Sequence, residues 1–129
     1  EWTGLDRETM YDSARVALVP MGFCYPGKAS GGDKPPRREC APLWHDEVLA
    51  ILPEDRLTLL VGSYAQSYYL PATRTLSMTE RVRRFRDFLP EVLPLPHPAW
   101  RSTLWMRQNP WFEAEILAIL RKRVAAALA

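Results

Sequence analysis

The sequence predicts an α/β fold built on a mainly parallel sheet. Three observations carry this. Strand-like and helix-like segments follow one another in the order strand, helix, strand, helix, helix, strand, helix, and such alternation favours parallel strands joined by crossover helices. One strand segment, LTLLVG at 57–62, is a continuous apolar run of the kind buried on both faces of a parallel sheet. The chain has 129 residues, 47% hydrophobic and 25% charged, enough for one domain with its own core, so 1–129 is read as a single domain.

The elements follow in order. RVALVP at 15–20 is short, β-branched and apolar, and reads as a buried strand. The next stretch, MGFCYPGKASGGDKPPRRE at 21–39, is dense in Gly and Pro and reads as a long loop, a length usually tied to function. Residues 39–52 place Leu43, Trp44, Val48, Ile51 and Leu52 at helical spacing, predicting a helix with that face inward. After strand 57–62, Ser63 is positioned to cap a helix over SYAQSYYL, and 71–77 is a linker. Ser77 and Glu80 have capping-box spacing before MTERVRRFRDFL. Residues 92–95 form a third short strand. Asn109 as cap and Pro110 at the first helical position open a last helix, whose apolar stripe is Phe112, Ile116, Ile119, Leu120 and Val124. No internal repeat interrupts this order.

No apolar run approaches the roughly 18–20 residues that a membrane helix needs, and no basic-then-apolar leader opens the chain, so a cytoplasmic location is the default expectation. The chain opens EWTGLDRETMYD, without an initiator Met, and Glu1 and Trp2 resemble the end of a helix. A chain truncated at its N-terminus, lacking its first strand, is therefore expected. Net charge is +2 but uneven: residues 1–70 hold 7 Lys/Arg against 10 Asp/Glu, and residues 71–129 hold 10 against 5. A basic C-terminal half suits a polyanionic partner, and charge alone fits solvated helix faces equally well.

In parallel sheets ligands meet the loops beyond the C-terminal strand ends. Three such loops draw attention: 21–39, the one at Ser63, and 97–100. His97 stands between Pro96 and Pro98, which stiffen the backbone. A rigid histidine there suits hydrogen bonding to a developing anion, or acid–base work, with a structural turn histidine as the alternative. Arg81, Arg83, Arg84 and Arg86, with Arg101 and Arg107, lie near Trp100, Trp105 and Trp111 in sequence. They can contact phosphates and stack on bases, or serve as solvated charge beside packed aromatics. Cys24 and Cys40 bracket the Gly/Pro loop. Two thiols cannot complete a metal site, and His45 is a weak third ligand.

Three segments, RVALVPMGFCYPG with PPRRECAPLWH, LTLLVGSYAQSYYL, and LPLPHPAWRSTLWMRQNPWF, resemble the uracil-DNA glycosylase superfamily over nearly the whole chain. The likeness is strongest to the bacterial branch related to the iron–sulfur-containing uracil-DNA glycosylases. The resemblance implies a three-layer α/β/α sandwich around a central, mainly parallel four-stranded sheet. It implies a hydrolase of base excision repair that flips a damaged base out of DNA, single-stranded or duplex, and cleaves its N-glycosidic bond, acting as a monomer. His97 matches the histidine that stabilises the departing uracil through O2. Pro98, Ala99, Trp100 and Arg101 match the loop pressed into the minor groove, and Arg81, Arg83, Arg84 and Arg86 are expected on DNA phosphates. Cys24 and Cys40 match two ligands of a four-iron four-sulfur cluster whose other two come from an N-terminal Cys-x-x-Cys. That pair is absent here, so a cluster is expected only in a longer chain. The family's water-positioning motif is also absent, which predicts an inactive fragment. Pro20 stands where the family has an Asn that reads the uracil edge, leaving Met21, Gly22 and Phe23 to line the base pocket with Pro20. Two other readings stay open: a non-catalytic DNA-binding relative, and a small-anion or nucleotide-binding α/β domain.

Overall fold

The computed structural model describes residues 2–23, 25–30, 32–99 and 102–129. They form two compact units, Glu1–Val16 with Leu57–Ala129, and Ala17–Arg56.

The larger unit holds the parallel strand pair. β3 (Thr58–Val61) and β4 (Val92–Leu95) run in register, with Leu60 opposite Pro94 and Val61 opposite Leu95. Thr58 N donates to Glu91 O and Gly62 N to Leu95 O, so alternate carbonyls of β4 face β3. Pro94 and Pro96 fall between those positions and turn their donorless nitrogens to the other edge of β4. A proline is tolerated in a strand on that side alone. Helix α3 (Ser63–Tyr69) follows β3 directly. Helix α4 (Met78–Arg83) begins at Ser77, whose Oγ accepts from Glu80 N at 3.1 Å, the backbone half of the predicted capping box. It ends earlier than its sequence suggests, passing into a 3-10 turn at Phe85–Asp87.

The predicted last helix also forms, with two differences. Its first part, Phe112–Leu117, is π-helical and α6 (Ala118–Leu128) continues it. The wider turn brings Leu117 inward beside Ile116, adding a buried residue to the expected stripe. Phe112, Ile116, Leu120 and Val124 are buried as predicted, while Ile119 is partly covered. They pack with Val82, Phe85, Leu93 and Leu95 into one core, each large side chain contributing about 1.5–3 kcal/mol by leaving water. Trp2 closes this core by meeting Phe112 edge-on at 5.1 Å. Two helices have no counterpart in the sequence-based expectation. One is α1 (Arg7–Met10), where Asp6 Oδ1 accepts from Thr9 N at 2.8 Å, a bond that holds its carboxyl below the ordinary value. The other is α5 (Ser102–Gln108).

The smaller unit contains a two-residue hairpin, β1 (Lys28–Ala29) against β2 (Gly32–Asp33), and helix α2 (Cys40–Ala50). Three expectations are corrected. RVALVP is not a strand: Arg15 N and Val16 N bond back to Asp12 O at 3.0 and 2.9 Å, which makes a turn, and Leu18 is 64% exposed. The inward face of α2 is also different. Cys40, Ala41 and His45 are buried, whereas Leu43, Trp44 and Ile51 face solvent, because small and polar residues meet the loop that α2 supports. Finally, the strands among the described residues are a parallel pair and a hairpin rather than one four-stranded sheet, although the mixed α/β class with parallel pairing holds.

Candidate functional site

In the larger unit the two strands end side by side. Gly62, the residue after β3, has φ +87°, a conformation that only glycine takes without strain. It opens α3 in place of the predicted Ser63 cap, which makes no side-chain capping bond. A Cβ built on Gly62 would lie 3.8 Å from both Cβ and Cδ2 of His97, so the two strand ends touch at this pair. Pro96 is fully buried, and the His97 side chain is exposed just beyond it.

The His97 backbone is fixed from the other side. Its carbonyl accepts from Ala99 N at 2.9 Å and from Ser102 Oγ in a short hydrogen bond, while Ser102 N donates to Ala99 O at 2.9 Å. Among the described residues none bonds the His97 ring. The turn engages the carbonyl of the histidine and leaves its ring exposed, an arrangement suited to donating to a forming anion. Pro98 and Ala99 are exposed beside it; Trp100 and Arg101 lie outside the described residues.

Behind the strand ends sits Gln66, fully buried. Its Nε2 donates to Leu95 O at 2.8 Å and Leu60 O at 3.3 Å, one bond to each strand. Its Oε1 has no partner among the described residues. The reverse amide orientation would set Oε1 against two carbonyls, so the bonded orientation is the one the network selects. Leaving a buried acceptor unpaired costs about 1–3 kcal/mol.

The four arginines predicted to reach phosphate divide into different roles. Arg81 is only 3% exposed: Nε donates to Thr73 O and Thr73 Oγ1, both at 3.1 Å, and Nη2 to Ser67 Oγ at 3.0 Å. This corrects the expectation for Arg81, which braces α4 against α3 and the turn at Pro71–Thr73 and is inaccessible to DNA. Arg84 is exposed and lies 3.7 Å from Glu80. Arg83 stacks over Trp111 at 5.0 Å and Arg86 over Phe85 at 4.5 Å, both on the surface. Trp105, read as a base-stacking candidate, donates Nε1–H to Thr79 Oγ1 and packs edge-on against Trp111 and Phe112.

The smaller unit carries the expected base-pocket loop. The Pro20 carbonyl accepts from His45 Nε2 at 2.9 Å, and Phe23 meets the His45 ring edge-on at 5.7 Å. His45 is 2% exposed, so it supports the loop from beneath. Gly22 packs closely on the following loop: a Cβ there would come within 3.2 Å of Pro36 Cβ, a tight contact. Met21 is half-buried, and Pro20 and Phe23 are exposed. Nearby, Tyr25 Oη donates to Asp33 Oδ1 at 2.9 Å across the hairpin, a bond that raises the tyrosine's pKa.

Cys40 is buried at the start of α2, and Cys24 lies outside the described residues. No group of three or more His, Cys, Asp or Glu that could hold a metal forms among the described residues. With two cysteines in the sequence, the residues present do not fit a four-thiolate cluster. No described helix is long and apolar enough to cross a membrane.

Residue-by-residue reading missed His45 as a loop support, Gln66 as a strand-end donor, Gly62 as the neighbour of His97, and Ser102 as the cap on its carbonyl. A Gly directly after an apolar strand run was the one signal for Gly62. The others bond to groups 5 to 29 positions away, and no local pattern marks such partners. The model of the uracil DNA glycosylase superfamily matches residues 2–121, spanning both strand ends and the loop at Pro20–Phe23. The chain belongs to the uracil DNA glycosylase superfamily.

Proposed function

We propose that this protein acts on DNA as a uracil-DNA glycosylase-like enzyme of base excision repair. The observation that supports this most is the His97 turn, with its carbonyl twice bonded and its ring exposed at the strand end. The reaction is hydrolysis of the bond between C1′ of deoxyribose and N1 of a flipped uracil. As that bond breaks, its electron pair leaves with the base and charge spreads to O2. An imidazole N–H of His97 donates to O2, water adds its oxygen to C1′ and gives up a proton, and the products are free base and an abasic sugar. The ring must already be in place, since a donor that reorients during reaction wastes its stabilisation.

DNA is held by surface cations. Arg83 and Arg86 are the arginines best placed for phosphate, each exposed and lying over an aromatic ring. Pro98 and Ala99, with Trp100 and Arg101, form the segment that presses against the strand. In the smaller unit, Pro20 occupies the position expected to read a base edge. A proline there offers no side-chain hydrogen bond and its carbonyl is engaged by His45. The engaged Pro20 carbonyl is also the specific feature favouring the second reading, a DNA-binding relative that releases no base.

The test is uracil release from a single-stranded uracil-containing oligonucleotide by the full-length protein, beside its His97→Ala variant. Release that falls about 10²-fold or more in the variant supports the glycosylase. DNA binding with a steep salt dependence and no release from the folded protein transfers support to the second reading.

A further inference from the structure

We propose that Gln66 is the positioning residue for His97: its side-chain amide clamps the ends of β3 and β4 together and so sets where the imidazole stands. The inference rests on the glycosylase reading for its kinetic consequence, though not for its structural one.

Two features single out Gln66. Its N–H groups reach Leu60 O and Leu95 O, one on each strand, and Leu95 is two residues before His97 with only the buried Pro96 between. The Leu95 carbonyl also accepts from Gly62 N at 2.9 Å, and Gln66 N bonds Gly62 O at 3.3 Å, so backbone and side chain of Gln66 both close on the Gly62–His97 contact. Second, Oε1 remains unpaired in the interior. A methionine would fill similar space without an orphan acceptor, so the amide is explained by its two donors. Pro96 helps to transmit the constraint, because its ring fixes φ at 96 and so removes one of the torsions between the Leu95 carbonyl and His97. Gln66 does not touch the base; it acts through His97.

The experiment compares Gln66→Met and Gln66→Glu with the parent protein, all in the full-length protein used for the uracil-release test above, in uracil release and in the carbon–proton spectrum of the His97 ring, assigned with His97→Ala. Gln66→Met keeps packing and loses both donors; Gln66→Glu turns a carboxylate oxygen toward two carbonyls. The expected result is kcat reduced by about 10- to 100-fold, the scale of a misplaced catalytic group, with KM within about twofold. The His97 ring resonance should shift or broaden while that of His45 stays in place. Should Gln66→Glu fail to fold, Gln66→Met decides alone. An unmoved His97 resonance with unchanged kcat in folded Gln66→Met overturns the proposal. Absence of uracil release by the parent protein would instead remove the glycosylase reading, and the His97 resonance would still decide the clamp.

Discussion

The two units of this protein hold their functional segments by different means. In the larger one, His97 projects from a strand whose neighbours Leu93, Leu95 and Pro96 are buried, backed by an apolar core from Val82 to Val124. In the smaller one, the buried His45 ring bonds the Pro20 carbonyl of the loop at Pro20–Phe23, and among the described residues Cys40, Ala41 and His45 are the buried ones, while large apolar side chains such as Ile51 stand 82% exposed. Packing makes the first segment rigid at a cost shared among many contacts. The second has few buried apolar residues among those described, and segments of that kind open most readily. A rigid support of the first kind suits the leaving-group role proposed for His97.

The sharpest way to break this comparison is to damage the larger core. Phe112→Ala removes a fully buried ring that Trp2 and Trp105 both meet edge-on, and should cost about 3–5 kcal/mol in denaturant unfolding. A loss below about 1 kcal/mol would mean that the core does not carry the unit. His97→Ala should lower uracil release about 10²-fold with the melting temperature nearly unchanged, since the side chain is exposed. A large melting shift would assign His97 to structure instead.

His45→Leu should cost about 1–3 kcal/mol, concentrated in the smaller unit, because the Pro20 carbonyl loses its donor. Hydrogen exchange should quicken at Met21–Phe23 and stay unchanged along β4; equal acceleration in both places would erase the distinction drawn above. The arginines sharpen it further. Arg83→Ala should reduce the salt dependence of DNA binding by about one ion with little effect on stability. Arg81→Ala should instead lower stability, because it releases three hydrogen bonds. The reverse pattern would restore Arg81 to the DNA face. The smallest effect belongs to Ile51→Ser, within about 0.5 kcal/mol, since an exposed side chain leaves no cavity.

What the sequence by itself determined is local. Apolar runs and caps placed β3, β4, α3, α4 and the final stripe, because these depend on the spacing of neighbouring residues. The prolines around His97 marked a stiff histidine at a strand end, and the three motif segments carried the family. Tertiary structure decided what needed a distant partner. RVALVP has strand-like residues, yet its first amides close a turn on Asp12. Arg81 reads like its neighbours Arg83 and Arg84, but the helix turns it inward to Thr73 and Ser67. His45 and Gln66 have ordinary local surroundings, and only folding brings Pro20 and Leu95 to their ring and amide. The RVALVP turn closes locally, but for Arg81, His45 and Gln66 the physical reason is shared: propensity and periodicity follow from adjacent positions, whereas the destination of a buried hydrogen bond is set by which segments the chain brings together.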